Sequence, residues 1–480
     1  MPYGPLDGLG EYCAEALAEH GCPSVSVAVA ERGEVVLAEA YGTADMARAR
    51  PATPATAYGL ASVTKPVTAT AVCLAADEGL LDLDAPVPVP GERRWPAPTA
   101  RQLLGHRGGF AAFYAWDYGD GERRIDASRY ASLYRAPGTG FEYANLGYRA
   151  LGLLLEAATG QELSAFVRER VFEPLGLTGC HVGRSYPGPA PSAARYTPDG
   201  RAYPDYDCDH PGATLGWAPA GELALFAQSC ERLLKPETAA AMSDAVPLNA
   251  RVGYGLGWSV SYGDGPVVRS HGGGGGGVAA MTAAVPARDL SVAVLTNSTN
   301  KAARDAIVHY VLDALVPGYR PELIDPGIHE PRRPTELPAG LWAGRIGTPE
   351  GDVPVELRIG ADGRVGLLLD GVSADSSAVA SDSWDLRAVF PSQLPTADAR
   401  VNSSSLLLSL RRERGQGQGG GQGQGGGQGQ GAERLTGVAH AYKDGGDREG
   451  RLGNFLCHPC ELTAQPASTS SARSTSAVVL

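Results

Sequence analysis

The pattern of apolar and polar positions divides the chain into stretches of different period. Gly8 to His20 carries its apolar residues at helical spacing. Ser24–Ala30 and Glu34–Ala40 alternate or run apolar around Glu31-Arg-Gly33, which reads as a β-hairpin. Val67–Leu80 returns to the helical period, with Val67, Ala71, Leu74 and Ala75 on one face and Gly79 as the stop. Val87–Pro98 is proline-rich and irregular, and Arg101–Gly109 reads as a short helix closed by a glycine turn. Helices are expected over Tyr148–Thr159, Leu163–Phe172 and Gly221–Leu234, with a loop-rich stretch over 177–216. From Tyr254 the period drops to two. Tyr254–Val260, Val267–Ser270, Val278–Val285 and Ser291–Asn297 read as an antiparallel meander, and Asn300 is placed to cap a helix over Lys301–Val316.

The order is therefore strands and helix, a helical insertion, then strands and helix. The simplest α/β (α+β) architecture puts both strand groups in one antiparallel sheet flanked by helices, with 90–245 as an all-α lobe. A cleft between lobes is where a site is expected. These elements make 1–316 a first domain, and 317–338 is a proline-rich linker. Leu341–Ile346, Val353–Ile359, Val365–Leu369, Trp384–Val389, Ser405–Arg411, Leu435–Tyr442 and Phe455–Leu462 then read as strands of a second antiparallel β-barrel domain, 339–463. The pure Gly/Gln tract 415–431 reads as a disordered loop, and 464–480 as a disordered tail.

Composition narrows the partners. The chain has 480 residues and a net charge of −12 with no basic run, which speaks against nucleic acid and anionic membrane surfaces. No cationic start precedes an apolar core, and no apolar run reaches spanning length, so a cytoplasmic location is expected. The eight cysteines are too dilute for a disulfide scaffold. Cys457-His-Pro-Cys460 has the spacing of a metal or redox pair, but no second pair stands near it, and neither metal nor cofactor is expected. Homo-oligomerisation is left open.

One stretch carries chemistry: Tyr58-Gly-Leu-Ala-Ser-Val-Thr-Lys-Pro66. Pro66 lacks an N–H and fits only a first helical turn, so the helix begins close to Ser62. Residues three apart share a helix face, which brings the Lys65 amine alongside the Ser62 hydroxyl. A serine hydroxyl is a weak nucleophile and needs an adjacent base. Lysine serves only when neutral, and both burial and the positive end of a helix favour the neutral amine. Only four of the 41 basic residues are lysines, so Lys65 at this spacing stands out from background.

Two further patterns gain weight beside the first. Tyr143-Ala-Asn145 precedes a helix; a tyrosine oxygen can move a proton to a leaving group, and an asparagine can hold a carbonyl and bridge to a lysine. His271-Gly-Gly273 ends a strand and opens a run of six glycines, Gly272–Gly277. Glycine lets a substrate backbone approach a strand edge, and backbone N–H groups there can supply part of an oxyanion hole. The run leads into a strand, which excludes a dinucleotide fingerprint. His106 reads as a structural hydrogen-bonder.

Together Ser62-x-x-Lys65, Tyr143-x-Asn145 and His271-x-Gly273 resemble, in order and spacing, the three motifs of serine hydrolases of the class C β-lactamase and penicillin-binding-protein type. The resemblance covers about residues 10–315, and the linker and barrel look similar to D-aminopeptidases with a lipocalin-like C-terminal domain. It implies a serine β-lactamase-like fold. It implies Ser62 as acylated nucleophile, Lys65 as base, Tyr143 in proton transfer, and Asn145, His271, Gly272 and Gly273 against the substrate. The N–H groups of Ser62 and Gly274 would form the oxyanion hole. The chain departs from the family at the third motif, where Lys-Thr-Gly is usual and His-Gly-Gly stands here.

The expected function is hydrolysis of a small amide or ester, with peptides containing D-residues or short acyl esters as substrate class. A β-lactamase is the alternative within the class. A non-catalytic binding or scaffold protein that kept the fold is the alternative outside it.

Overall fold

The computed structural model describes residues 4–90, 94–119, 125–324, 332–396, 405–413, 433–442 and 452–466. It divides into two units, Met1–His329 with Lys443–Leu456, and Glu330–Tyr442 with Cys457–Leu480. The Gly/Gln tract and residues 467–480 lie outside the described residues.

The first unit is built on one sheet of nine strands among the described residues. Its strands run in the order Arg50–Pro51, Glu34–Asp45, Ser24–Glu31, Leu290–Thr296, Val278–Val285, Arg269–Gly275, Ser259–Ser261, Val252–Tyr254, Val246–Pro247, with the N-terminal hairpin joined to the late meander as expected. Val25 stands opposite Thr296 and Val29 opposite Val292, which fixes the register of that join. The hairpin turns on Arg32 and Gly33, both with positive φ, the geometry of a two-residue primed turn.

Residues along each strand alternate faces, and here both faces are covered. Val25, Val27, Val29, Val292 and Val294 meet the helices Leu9–Glu19 and Ala302–Leu315 through Leu17, Ile307, Val308 and Val311. Truncating a buried side chain such as Ile307 to alanine costs about 2–5 kcal/mol. The other face carries small residues, among them Ala28, Ala30, Ser291 and Ala293, which let the helix Ala220–Ser229 lie close. Ser291 Oγ donates to Ala224 O at 2.7 Å there.

The helical region holds Asn145–Thr159, stopped by Gly160 at φ 69, and Leu163–Val167, which continues through a π turn to Phe172. Three features differ from the sequence reading. The strand expected to end at His271 runs on through the glycines, Arg269–Gly275, because pairing with Val278–Val285 supplies what glycine's weak strand preference does not. Tyr254–Val260 breaks into two short strands around Gly257, whose φ of 83 no β-strand accommodates. A small sheet, Tyr58–Ala61, Gly216–Ala218 and His181–Val182, had no signal because each strand is too short for a period to show.

The second unit is a curled antiparallel half-barrel of ten strands among the described residues. Val353, Val355, Leu357 and Ile359 alternate inward along Gly351–Ile359, onto Trp342, Ile346, Phe390 and Leu408. The strand Val372–Ser377 lies outside the expected strands, since Val-Ser-Ala-Asp-Ser-Ser has little apolar alternation to mark it. Cys457 and Cys460 both lie on the strand Cys457–Ala464, three residues apart and so on opposite faces, and neither is in a disulfide. No metal-binding group of His, Cys, Asp or Glu side chains occurs among the described residues. No helix of the described residues is long and apolar enough to cross a membrane.

Candidate active site

The first motif lies where the strand Tyr58–Ala61 turns into the helix Thr64–Asp77. The turn is tight: Ala61 has φ 46, a left-handed conformation costly for a residue with a Cβ. Thr64 secures it, donating from Oγ1 to Ala61 O at 2.6 Å and accepting from Gly216 N at 2.8 Å. Ser62 is left at the start of the helix, where Lys65 N donates to its carbonyl at 3.0 Å, and Pro66 occupies the first turn without cost.

Lys65 is wholly buried, and its Nζ has three polar neighbours among the described residues. Ser62 Oγ stands at 3.2 Å, Asn145 Oδ1 at 2.8 Å and Ala213 O at 3.1 Å. The tyrosine rings of residues 143 and 148 lie 4.6 and 5.5 Å from the same nitrogen. Burial pulls the amine well below the ordinary lysine range, with Cys208 acting weakly the other way. Asn145 opens the helix Asn145–Thr159, and its Nδ2 donates to Phe113 O at 2.9 Å, so Oδ1 is held toward Lys65. The Tyr143 phenol is held well above its usual range by burial first and by Tyr254 and Tyr114 next, while a hydrogen bond with Ser62 works against them.

The third motif contributes backbone. A Cβ on Gly273 would sit 2.1 Å from Leu60 O and 3.3 Å from Ser62 N, so the strand edge lies directly against the Leu60–Ser62 turn. Gly272 and Gly274 face the other way, toward Met281 and Arg304, and toward Lys301. Arg304 Nη1 donates to Gly273 O at 3.1 Å and Ala280 O at 3.0 Å, holding that edge in place.

His271 does not offer a free ring edge. Its Nδ1 lies 2.9 Å from Gly272 O, which can only accept, so Nδ1 carries the proton. Nε2 therefore accepts from the Tyr254 hydroxyl at 2.9 Å. Burial first, and Lys65 second, push its pKa down to about 3. His271 is a neutral, fully bonded ring.

Ser62, Lys65, Tyr143, Asn145, His271 and the glycines thus come together from three separate stretches. Sequence reasoning missed four contributors. The Ala213 carbonyl comes from the short helix Pro211–Thr214, and a backbone acceptor leaves no residue signature. Tyr254 holds His271, and Arg304 grips the glycine strand. The fourth is the segment 452–456. The strand expected from Phe455 starts at Cys457. Phe455 instead exchanges backbone bonds of 2.8 Å with Tyr114, and Asn454 Oδ1 accepts from Trp116 N at 2.9 Å. Leu452 joins Trp116, Tyr203 and Tyr206 in an apolar cluster beside the site. No sequence period reports a pairing across 338 residues.

The chain is similar to several known proteins. The chain is 35% identical to the esterase EstB of Burkholderia gladioli over 191 residues, 35% of this chain and 48% of the relative. It is 30% identical to a D-aminopeptidase of Gluconobacter oxydans over 168 residues, 32% of this chain and 31% of the relative. The aligned part therefore spans less than half the length of these curated relatives. Among solved structures, SurE with D-Leu has the same fold, with a TM-score of 0.61 and 24% identity over 85% of this chain and 95% of that one. Residues 10–315, which carry every motif residue of the site, match the Beta-lactamase family, and the chain belongs to that family.

Proposed function

We propose that this chain is a serine hydrolase that acts through an acyl-enzyme on Ser62. The observation that carries the reading is the set of neighbours around Lys65. A neutral amine has two N–H bonds and one lone pair. Asn145 Oδ1 and Ala213 O can only accept, and together they take both N–H bonds. The lone pair is left for the Ser62 hydroxyl at 3.2 Å. This is the arrangement a general base requires.

The reaction follows from that. Ser62 Oγ attacks the substrate carbonyl as its proton passes to Lys65 Nζ. The oxyanion is received by the N–H groups of Ser62 and Gly274, on the two backbones that Gly273 lets approach. When the tetrahedral intermediate collapses, the leaving group takes a proton from the Tyr143 hydroxyl, which is protonated at ordinary pH and is recharged from the Lys65 ammonium. Asn145 orients the amine and the substrate carbonyl side. Water then attacks the acyl ester by the reverse path, giving the acid and restoring Ser62.

The substrate class is a small ester or amide, with short acyl esters and D-amino-acid amides or peptides as the members to try first. The esterase and D-aminopeptidase names among the relatives support that choice. A β-lactamase is the weaker reading, because His271 is neutral where an ammonium would meet a β-lactam carboxylate. The test is covalent labelling by a fluorophosphonate probe, located by mass spectrometry, followed by a panel of acyl esters, D-aminoacyl amides and β-lactams. A label on Ser62 and turnover of one of the first two classes are expected. No label on the folded protein would leave the scaffold reading standing.

A further inference from the structure

His106 is a buried group that this mechanism does not use, and it grips the chain on both sides of Tyr143. Its carbonyl accepts from Glu142 N at 2.9 Å, and its Nδ1 accepts from Ala144 N at 3.1 Å. Between these two anchors the imidazole packs on the Tyr143 ring, with centroids 4.2 Å apart and planes 37° apart. The same tyrosine ring lies 4.6 Å from Lys65 Nζ.

Two features set His106 apart from an ordinary core residue. Its φ is 55, in the left-handed region that residues with a Cβ rarely adopt. Strain of this kind persists only where the surroundings over-determine it, and Ala61, beside the nucleophile, shows the same feature. Its ring is also costly as mere filling. Nδ1 accepts an N–H, so the proton of the neutral ring sits on Nε2, which is buried and has no hydrogen-bond partner among the described residues. An apolar side chain would fill the space among Phe141, Tyr148 and Tyr254 without that penalty. What an apolar side chain cannot do is accept the Ala144 N–H.

We propose that His106 is the positioning residue for Tyr143: by holding the N–H groups of its two neighbours, Glu142 and Ala144, His106 keeps the phenol where it delivers a proton to the leaving group. This rests on the reading that Tyr143 is that proton donor. Acceptors on both flanks leave the Tyr143 backbone little room to rotate. A misplacement of about 1 Å at a reacting group costs on the order of 10²-fold in rate. Burial first, and the nearby Lys65 and His271 next, keep the ring neutral, which preserves Nδ1 as an acceptor.

The leaving group separates positioning from packing. A p-nitrophenolate departs without a proton, whereas an alkoxide from an ethyl ester needs one. The quantity to compare is kcat/KM for a p-nitrophenyl and an ethyl ester of the same acyl group, since it reports the acylation half. Tyr143→Phe should lower the ethyl ester at least about tenfold more than the aryl ester. His106→Gly removes the acceptor but suits a positive φ, and it should show the same split. His106→Asn keeps an oxygen near the Nδ1 position and also tolerates this φ, so it should restore most of the wild-type ratio. Equal losses on both esters in the glycine variant, with Tyr143→Phe showing the split, would reduce His106 to packing and leave the Tyr143 reading intact. No split in Tyr143→Phe would overturn both. If the glycine variant does not fold, His106→Ser, whose hydroxyl is too short to reach the Ala144 N–H, takes its place.

Discussion

Lys65 Nζ stands 3.2 Å from Ser62 Oγ in a site where the amine is wholly buried and has no carboxylate partner among the described residues. A buried ammonium without a counter-ion is disfavoured by several kcal/mol, so the pair exists as neutral amine and neutral hydroxyl. In the proposed mechanism, desolvation is what poises Ser62 as nucleophile and Lys65 as base.

The first expectation follows directly. Ser62→Ala removes one buried hydroxyl at a turn held by Thr64, so the fold should survive with a melting temperature within a few degrees of wild type. Turnover should fall by three orders of magnitude or more, as when a nucleophile of a triad is lost. A folded alanine variant retaining a tenth of the wild-type rate would remove Ser62 from the mechanism.

A second expectation concerns the state of Lys65. Asn145→Asp places a carboxylate where the amide oxygen now lies, 2.8 Å from Nζ. An opposite charge at that distance favours the ammonium and raises a pKa by about 1–3 units. The active form is the free base, so the rate rises with pH through the lysine pKa, and raising that pKa carries the acid limb to higher pH. The pH profile of Ser62 labelling in the two proteins measures it. A limb that stays put, or moves toward acid, contradicts the general-base role.

How much of this could be read beforehand depends on where each contact is encoded. Ser62 with Lys65, and Tyr143 with Asn145, are local pairs at fixed spacing across helix starts, so the residues and their frame were visible together. The Ala213 carbonyl was not, because any residue supplies a carbonyl and only the turn over Pro211–Thr214 aims this one. His106 was visible as a hydrogen-bonding residue, but its partner lies 38 positions away, and the positive φ has no sequence mark in a histidine. His271 was legible as a position and misleading as chemistry. Its place in the motif suggests contact with substrate, while Tyr254 and Gly272 O occupy both ring nitrogens.

The buried histidines should make the fold sensitive to acid. His271 and His210 are both pushed from 6.5 down to about 3, by burial first and Lys65 second. The unfolded chain binds these protons near pH 6.5 and the folded one only near pH 3. In that window the unfolded state holds more protons, so stability is lost as pH falls. The melting temperature should therefore drop steadily below pH 6.5, and His271→Gln should flatten the slope relative to wild type between pH 6.5 and 4. Coincident slopes would mean that His271 titrates normally in the folded protein.

The glycine strand gives the sharpest contrast between neighbouring positions. A Cβ on Gly273 would meet Leu60 O at 2.1 Å, and a backbone atom in a turn already strained at Ala61 has nowhere to go. A Cβ on Gly274 would meet Lys301 Cε at 2.4 Å, but that is the far end of a flexible side chain on an exposed residue, and it can swing away. Adding one methyl group is the same chemical change in both cases. At Gly273 it should push the Arg269–Gly275 strand off the Leu60–Ser62 turn, separating the two N–H groups assigned to the oxyanion. Losing one such donor costs on the order of 10²–10³ in kcat. Gly273→Ala should accordingly lose at least a hundredfold in kcat, whereas Gly274→Ala should stay within about tenfold of wild type. The comparison is made on folded variants with one good ester substrate, reading kcat and KM separately. Equal activity in the two would show that the strand and the turn do not need their close approach, and the oxyanion site would have to lie elsewhere.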